Sequence, residues 1–186
     1  MIRSVEISFI ENSSVHIWGI TAYGINRVRE NVPDAENRRA FRKNSVNPVS
    51  FAHQLDTQRL RITAERNDWC DWIKCSGTER FRKKHGIFPD VVATRPDGVK
   101  IAIEVERTVK SKSRYPRIMG SHLHARKFGQ WDEIFYLCPD ARIKRRLENI
   151  YSEIEEVDYF GNSVKITDQH RQLFRFYSYD ENWTGV

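Results

Sequence analysis

Phe88-Pro89-Asp90-Val91-Val92-Ala93, then Pro96-Asp97-Gly98, then Val99-Lys100-Ile101-Ala102-Ile103-Glu104-Val105-Glu106 is the stretch that decides the fold. Its first run predicts a strand that starts at a proline, where the missing N–H does least harm. Pro-Asp-Gly has the chemistry of a tight turn. The last run predicts a second strand. Successive side chains of a strand point to opposite faces, so Ile101, Ile103 and Val105 share one face, and Ala102, Glu104 and Glu106 share the other. In an antiparallel pair closed by that turn, Asp90 comes back beside Glu104 and Glu106.

Working outward toward the C-terminus, residues 107–128 carry the densest basic cluster. They read as a loop running into a helix that is interrupted near Pro116 and Gly120. Glu133 to Cys138 is nearly continuous in apolar residues, as a strand inside a buried sheet is. Residues 140–155 form an amphipathic helix, with Ile143, Leu147, Ile150 and Ile154 on one side, and residues 171–179 alternate like a last strand. Toward the N-terminus, residues 76–86 are a basic loop. Pro48 to about Ile73 predicts a helix through Phe51, Leu55, Ile62, Trp69 and Ile73, carrying Glu65 and Asp68. The order helix, hairpin, helix, strand, helix predicts an α/β fold with a mixed central sheet flanked by helices.

Residues 4–10 and 15–20 predict a hairpin turning at Glu11 to Ser14. Thr21 reads as the N-cap of a helix over 22–31, and Pro33 closes the unit. A hairpin followed by a helix is how the wing end of a winged-helix domain runs. Residues 1–33 are therefore expected to be an appendage, a partial winged-helix remnant, or else the chain a fragment. Residues 34–186 form the main domain, opening on a polar linker over 34–47.

Of the 186 residues, 39% are hydrophobic and 30% charged, ordinary for a globular protein. A mean hydropathy of −0.66 and the lack of a long apolar run exclude a transmembrane helix, and no signal peptide is read at the N-terminus. Cys70, Cys75 and Cys138 fit neither a disulfide framework nor a zinc knuckle. They are expected to be free thiols in a reducing cytoplasm; a zinc site completed by His122 or His124 has no support in the spacing.

The net charge is +6 and the pI about 9.3. Basic residues come in bursts: Arg38, Arg39, Arg42 and Lys43; Arg80, Arg82, Lys83 and Lys84; Arg107, Lys110, Lys112, Arg114 and Arg117; Arg142, Lys144, Arg145 and Arg146. A polyanion suits such a surface, the alternative being solvated faces that bind nothing. Asp90, Glu104 and Glu106 offer hard oxygen ligands for Mg²⁺ or Mn²⁺, and a cation relieves the repulsion among them. The alternative is that Glu104 and Glu106 line a solvated face and pair with Arg107 or Lys110.

Pro89-Asp90 followed by Glu104-Val105-Glu106 resembles the PD-(D/E)XK nuclease pattern. The longer run Ala102-Ile103-Glu104-Val105-Glu106-Arg107-Thr108-Val109-Lys110-Ser111, with Arg114-Tyr115, resembles the MobC-type plasmid mobilisation relaxases. These are similar in turn to replication-relaxation proteins with an N-terminal winged helix. The resemblance spans roughly residues 15–140, most of its weight lying in 89–115.

It implies a restriction-endonuclease-like core and metal-dependent nicking of plasmid transfer-origin DNA in conjugative mobilisation. It also implies other mobilisation or coupling proteins as partners. A non-catalytic DNA-binding module on the same fold is the alternative. Asp90 and Glu104 match the metal-binding acids, and Glu65 sits where that fold often supplies another. Glu106 departs from the pattern's lysine, so Lys110, or failing it Lys112, has to supply the cation. Arg82, Lys83, Lys84, Arg107, Lys112, Arg114, Tyr115 and Arg117 are the expected DNA contacts. Relaxases of the commoner kind combine a tyrosine nucleophile with a histidine triad. His122 and His124 have no third histidine close by to complete such a triad and are expected on a helix surface or at a phosphate. For Tyr115, a nucleophile, a base-stacking ring and a core side chain all stay open.

Overall fold

The computed structural model describes residues 2–8, 14–29, 40, 42, 47–75, 88–159 and 161–185. The expected contacts Arg82, Lys83 and Lys84, the loop over 76–86 and most of the linker over 34–47 lie outside them. By its internal contacts the chain divides into two units, Met1–Leu55 and Asp56–Val186.

In the first unit, β1 (Ile2–Ser8) and β2 (Ser14–Ile20) form an antiparallel hairpin with Ile2 opposite Ile20. Helix α1 (Ala22–Arg29) follows directly. Thr21 caps it: its Oγ1 accepts the Gly24 N–H at 3.2 Å, satisfying one of the donors a helix start leaves over.

Helix α2 (Pro48–Arg66) contributes its residues from Asp56 onward to the second unit. It stops earlier than the apolar spacing predicts. The Trp69 N–H reaches back to Ala64 O at 3.1 Å, the Asp68 N–H to Glu65 O at 3.3 Å, and Asp68 has φ 61°. That is a Schellman ending with aspartate where glycine usually stands, and Trp69 packs in the same core as Ala64. Ile73 thus belongs to a strand, β3 (Cys70–Lys74). Both Ile73 and Ile62 are exposed rather than on a buried stripe.

The remaining strands are β4 (Val91–Thr94), β5 (Lys100–Val105) and β6 (Glu133–Cys138), then the small hairpin β7 (Glu156–Tyr159) and β8 (Asn162–Lys165), and finally β9 (Phe174–Ser178). Helices α3 (Tyr115–Lys127), α4 (Ala141–Ser152) and α5 (Asp168–Arg171) lie between them. The central sheet runs β3-β4-β5-β6-β9, antiparallel across its first three strands and parallel from β5 to β9. The protein is therefore α/β, with a mixed five-stranded sheet flanked by helices.

The alternation in β5 sorts the core into two layers. Ile101, Ile103 and Val105 pack with Phe135, Leu137, Leu60, Ala64, Trp69 and Trp183. Ala102 packs on the other side with Tyr136, Cys138 and the buried side chains of α3 and α4. Helix α4 starts where Asp140 accepts the Ile143 N–H at 2.8 Å, and it turns Leu147, Ile150 and Tyr151 inward.

Helix α3 is not interrupted. Pro116 lies in its first turn, where its missing N–H costs nothing. Gly120 sits in its interior because a Cβ there would stand 2.5 Å from the Asp158 carbonyl oxygen of β7. The glycine that reads as a break in the sequence is a close-packing residue.

Candidate functional site

Three sequence-selected acids meet at one end of the sheet. Glu104 is the fifth residue of β5, and Glu106 follows the strand, its N–H donating to Leu137 O at 3.0 Å. Asp90 precedes β4. The register that sets Val91 opposite Ile103 brings it opposite Glu104 when extended by one pair. Asp90 is held there: its Oδ2 accepts the Val105 N–H at 2.8 Å, and its carbonyl accepts the Cys75 N–H at 3.1 Å. The acids thus stand at the carboxyl end of β5, the end of an open α/β sheet at which ligands bind.

Their electrostatics agree with this placement. Burial pushes the Cys75 thiol up to about 11, and the charges of Glu104 and Asp90 push it the same way. Burial also raises Glu106 above the ordinary carboxylate range, with the Asp90 charge adding to it and Lys110 opposing it. Glu106 is only 4% exposed. It forms an ion pair with Lys110 Nζ, four residues further along the chain.

The acids do not all play equivalent parts. Glu106 pairs with Lys110, while Asp90 accepts from the Val105 N–H and Glu104 is met by His122. Glu65 is not brought to them. It lies on an exposed part of α2, paired with Arg61 at 2.7 Å. Among the described residues, no three of His, Cys, Asp and Glu are grouped so as to enclose a metal ion. Two carboxylates suit Mg²⁺ or Mn²⁺ nonetheless, because such ions commonly take one or two protein carboxylates and fill the other positions with water and phosphate oxygens. The donor set at Asp90 and Glu104 fits such a cation.

The basic residues divide too. Arg107 is tied to the buried Asp56, which also accepts from Tyr179 Oη at 3.1 Å, so it braces the site rather than reaching out. Lys112 pairs with Glu153 on the surface. Arg114 and Arg117 are exposed and form no ion pair among the described residues.

Tyr115 cannot serve as a DNA contact or a nucleophile. It is fully buried, its hydroxyl accepts the Lys110 N–H at 2.8 Å, and its ring meets Tyr151 edge-on at 5.7 Å. Burial pushes its hydroxyl up to about 12, the wrong direction for an attacking phenolate. Of the three readings open for Tyr115, the core position is the one the fold gives it.

His122 was expected on a helix surface or at a phosphate. It is instead fully buried, and its Nε2 stands 3.1 Å from Glu104 Oε1. Geometry alone would allow an ion pair. Burial decides against one by pushing the imidazole down to about 3, so the contact is a hydrogen bond from a neutral ring. The signal for it was present in the sequence: Tyr115, Met119, His122 and Ala125 recur at helical spacing and all face the core. His124 is half-buried on the same helix, its ring against Phe128 at 4.8 Å. No described helix is long and apolar enough to cross a membrane. Comparisons of the chain with protein-family models, curated proteins and solved structures return no match.

Proposed function

We propose that this protein is a divalent-metal-dependent DNA endonuclease, with Mg²⁺ or Mn²⁺ held by Asp90 and Glu104. The substrate is plasmid transfer-origin DNA, as the resemblance to mobilisation relaxases implies. The observation that carries this reading is the placement of Asp90 opposite Glu104 at the carboxyl end of β5, with Lys110 held at Glu106 beside them. A mixed sheet whose acids sit on an antiparallel hairpin, next to a parallel strand reached through a helix, supports the restriction-endonuclease-like assignment.

Each side chain has a definite task. Asp90, fixed by the Val105 N–H, and Glu104, fixed by His122, present carboxylates to one side of the hairpin. A cation bound there supplies Lewis-acid polarisation of the phosphate and lowers the pKa of a coordinated water. Lys110 brings a positive charge to the position that Glu106 would otherwise make doubly acidic. Arg114 and Arg117 hold the flanking phosphates. The burial of Tyr115 supports a hydrolytic reading, in which water and not this tyrosine would attack the phosphate.

The second reading, a DNA-binding module without cleavage, is favoured by one observation. Glu106 stands where the nuclease pattern has lysine, and it neutralises the nearest replacement. A nicking assay on supercoiled plasmid carrying a transfer origin separates the two. Metal-dependent nicking that disappears in Asp90→Ala and in Glu104→Ala is the expected outcome. DNA binding without nicking, at any Mg²⁺ or Mn²⁺ concentration, would leave only the second reading.

A further inference from the structure

His122 projects from α3 toward Glu104 and not onto the helix surface or toward a phosphate, where the sequence placed it. Its ring has no exposed surface. Trp131 and Phe174 meet it edge-on, with ring centroids at 5.4 and 6.1 Å, so an apolar collar closes the imidazole off from water. Within that collar it makes one polar contact, Nε2 to Glu104 Oε1 at 3.1 Å, while Nδ1 has no hydrogen-bond partner.

The contact fixes the tautomer. A carboxylate oxygen accepts, so the ring nitrogen 3.1 Å from it is the donor whatever the charge of the ring. The proton therefore sits on Nε2 and is donated to Glu104. Such a contact limits the freedom of the Glu104 carboxylate. Its side chain has three rotatable bonds, and its cross-strand neighbour in the parallel direction, Tyr136, directs its own hydroxyl to Tyr151 at 2.6 Å. A carboxylate pinned at Oε1 by a ring that cannot itself move presents a defined face beside Asp90. Metal-binding carboxylates are commonly oriented by partners of this kind, which never touch the cation.

We propose that His122 is a positioning residue: its Nε2–H holds the Glu104 carboxylate in the orientation that, together with Asp90, receives a divalent cation. The inference rests on the reading of Asp90 and Glu104 as a cation site. A purely structural histidine, satisfied by the nearest acid, would matter for stability alone.

The test uses the full chain, without DNA, and reads Mn²⁺ binding from the loss of the free-ion electron paramagnetic resonance signal. His122→Phe keeps the ring and removes the donor, whereas His122→Gln returns an N–H of similar reach. Folding of each variant is followed by circular dichroism. The expected result is that wild type binds Mn²⁺, Glu104→Ala does not, and folded His122→Phe binds at least about tenfold more weakly. His122→Gln is expected to recover affinity to within about threefold of wild type.

Mn²⁺ binding by His122→Phe as tight as that of wild type overturns the inference and leaves the cation site standing. Wild type that takes up no Mn²⁺ overturns the cation site itself, and the inference with it. Should His122→Phe fail to fold, nitrogen-15 NMR of the wild-type imidazole decides. An Nε2–H tautomer whose proton shift collapses in Glu104→Gln supports the positioning role. An Nδ1–H tautomer, or a shift indifferent to Glu104→Gln, overturns it.

Discussion

The two faces of the central sheet are drawn from the same strands and buried to the same depth, yet they are built of different materials. On one face Ile101, Ile103, Val105, Phe135 and Leu137 meet Leu60, Ala64, Trp69 and Trp183, an almost wholly apolar layer. On the other, Ala102, Tyr136 and Cys138 meet Tyr115, Tyr151 and other side chains of α3 and α4. His122, Glu104 and Glu106 stand along that second layer. Polar groups below the surface are costly without partners, and here they meet in pairs, Tyr136 with Tyr151, Glu104 with His122 and Glu106 with Lys110, while His122 Nδ1 is left without one. The first face supplies stability with no chemical constraint. The second holds a set of paired polar side chains.

Adjacent residues of β5 test that division most strongly. Ile103→Ala opens a cavity in the apolar face and is expected to lower unfolding free energy by about 2–5 kcal/mol in a urea titration. Nicking per folded molecule should be unchanged. Glu104→Gln, one residue on and on the opposite face, is expected to stay within about 1 kcal/mol of wild type and to abolish nicking. If the Ile103 variant loses specific activity while the Glu104 variant loses stability, the comparison breaks.

Gly120→Ala comes next in size. The new methyl group has to push β7 away from α3, at a cost of roughly 1–3 kcal/mol by thermal or urea unfolding, because the atom it meets is backbone and not a flexible side chain. A neutral effect would mean that β7 is not held against this helix.

The polar face should also be the alkali-sensitive one. Burial pushes Cys138 up to about 12 from 9.0, with the Glu106 charge adding to it, and raises Tyr136 and Tyr151 well above 10.0. These acids ionise more readily in the unfolded chain. Their contribution to stability is whole below pH 9 and is lost as pH rises, at ~1.4 kcal/mol per pH unit for Cys138 between 9 and about 12. Urea midpoints measured from pH 8 to 11 should fall. Iodoacetamide at pH 8 should label the exposed Cys70 and spare Cys138. Equal labelling of both would remove Cys138 from the core.

The smallest effect is expected on the surface. Lys112 and Glu153 form an ion pair with side chains 65% and 56% exposed, so Glu153→Ala should change stability by less than about 1 kcal/mol. A larger loss would show that this pair, and not the core beneath it, secures the start of α3.

The strands that carry the acids were legible because their pattern is local. Strand β6 falls on Glu133–Cys138 as its apolar run predicts, and β4 and β5 flank the Pro96-Asp97-Gly98 turn. Legibility failed where a local signal had two meanings. Asp68 ends α2 in a left-handed conformation that aspartate adopts far less often than glycine, so the helix ran on through Ile73 when read from periodicity. Gly120 and Pro116 read as breaks, although one is a packing residue and the other a first-turn residue.

By itself, then, the sequence determined the faces of the strands, because the alternation of side chains along an extended chain needs no neighbour to define it. It thereby chose Asp90, Glu104 and Glu106 as acids at one sheet end. Which of them are held for one another was a matter for the tertiary structure alone. Pairing between β4 and β5 sets Asp90 opposite Glu104. The fold of the chain after β5 brings Lys110 to Glu106 and buries Tyr115, and the packing of α3 seats His122 against Glu104. Those partnerships depend on distance in space, and spacing along the chain does not fix distance in space once a loop and a helix intervene.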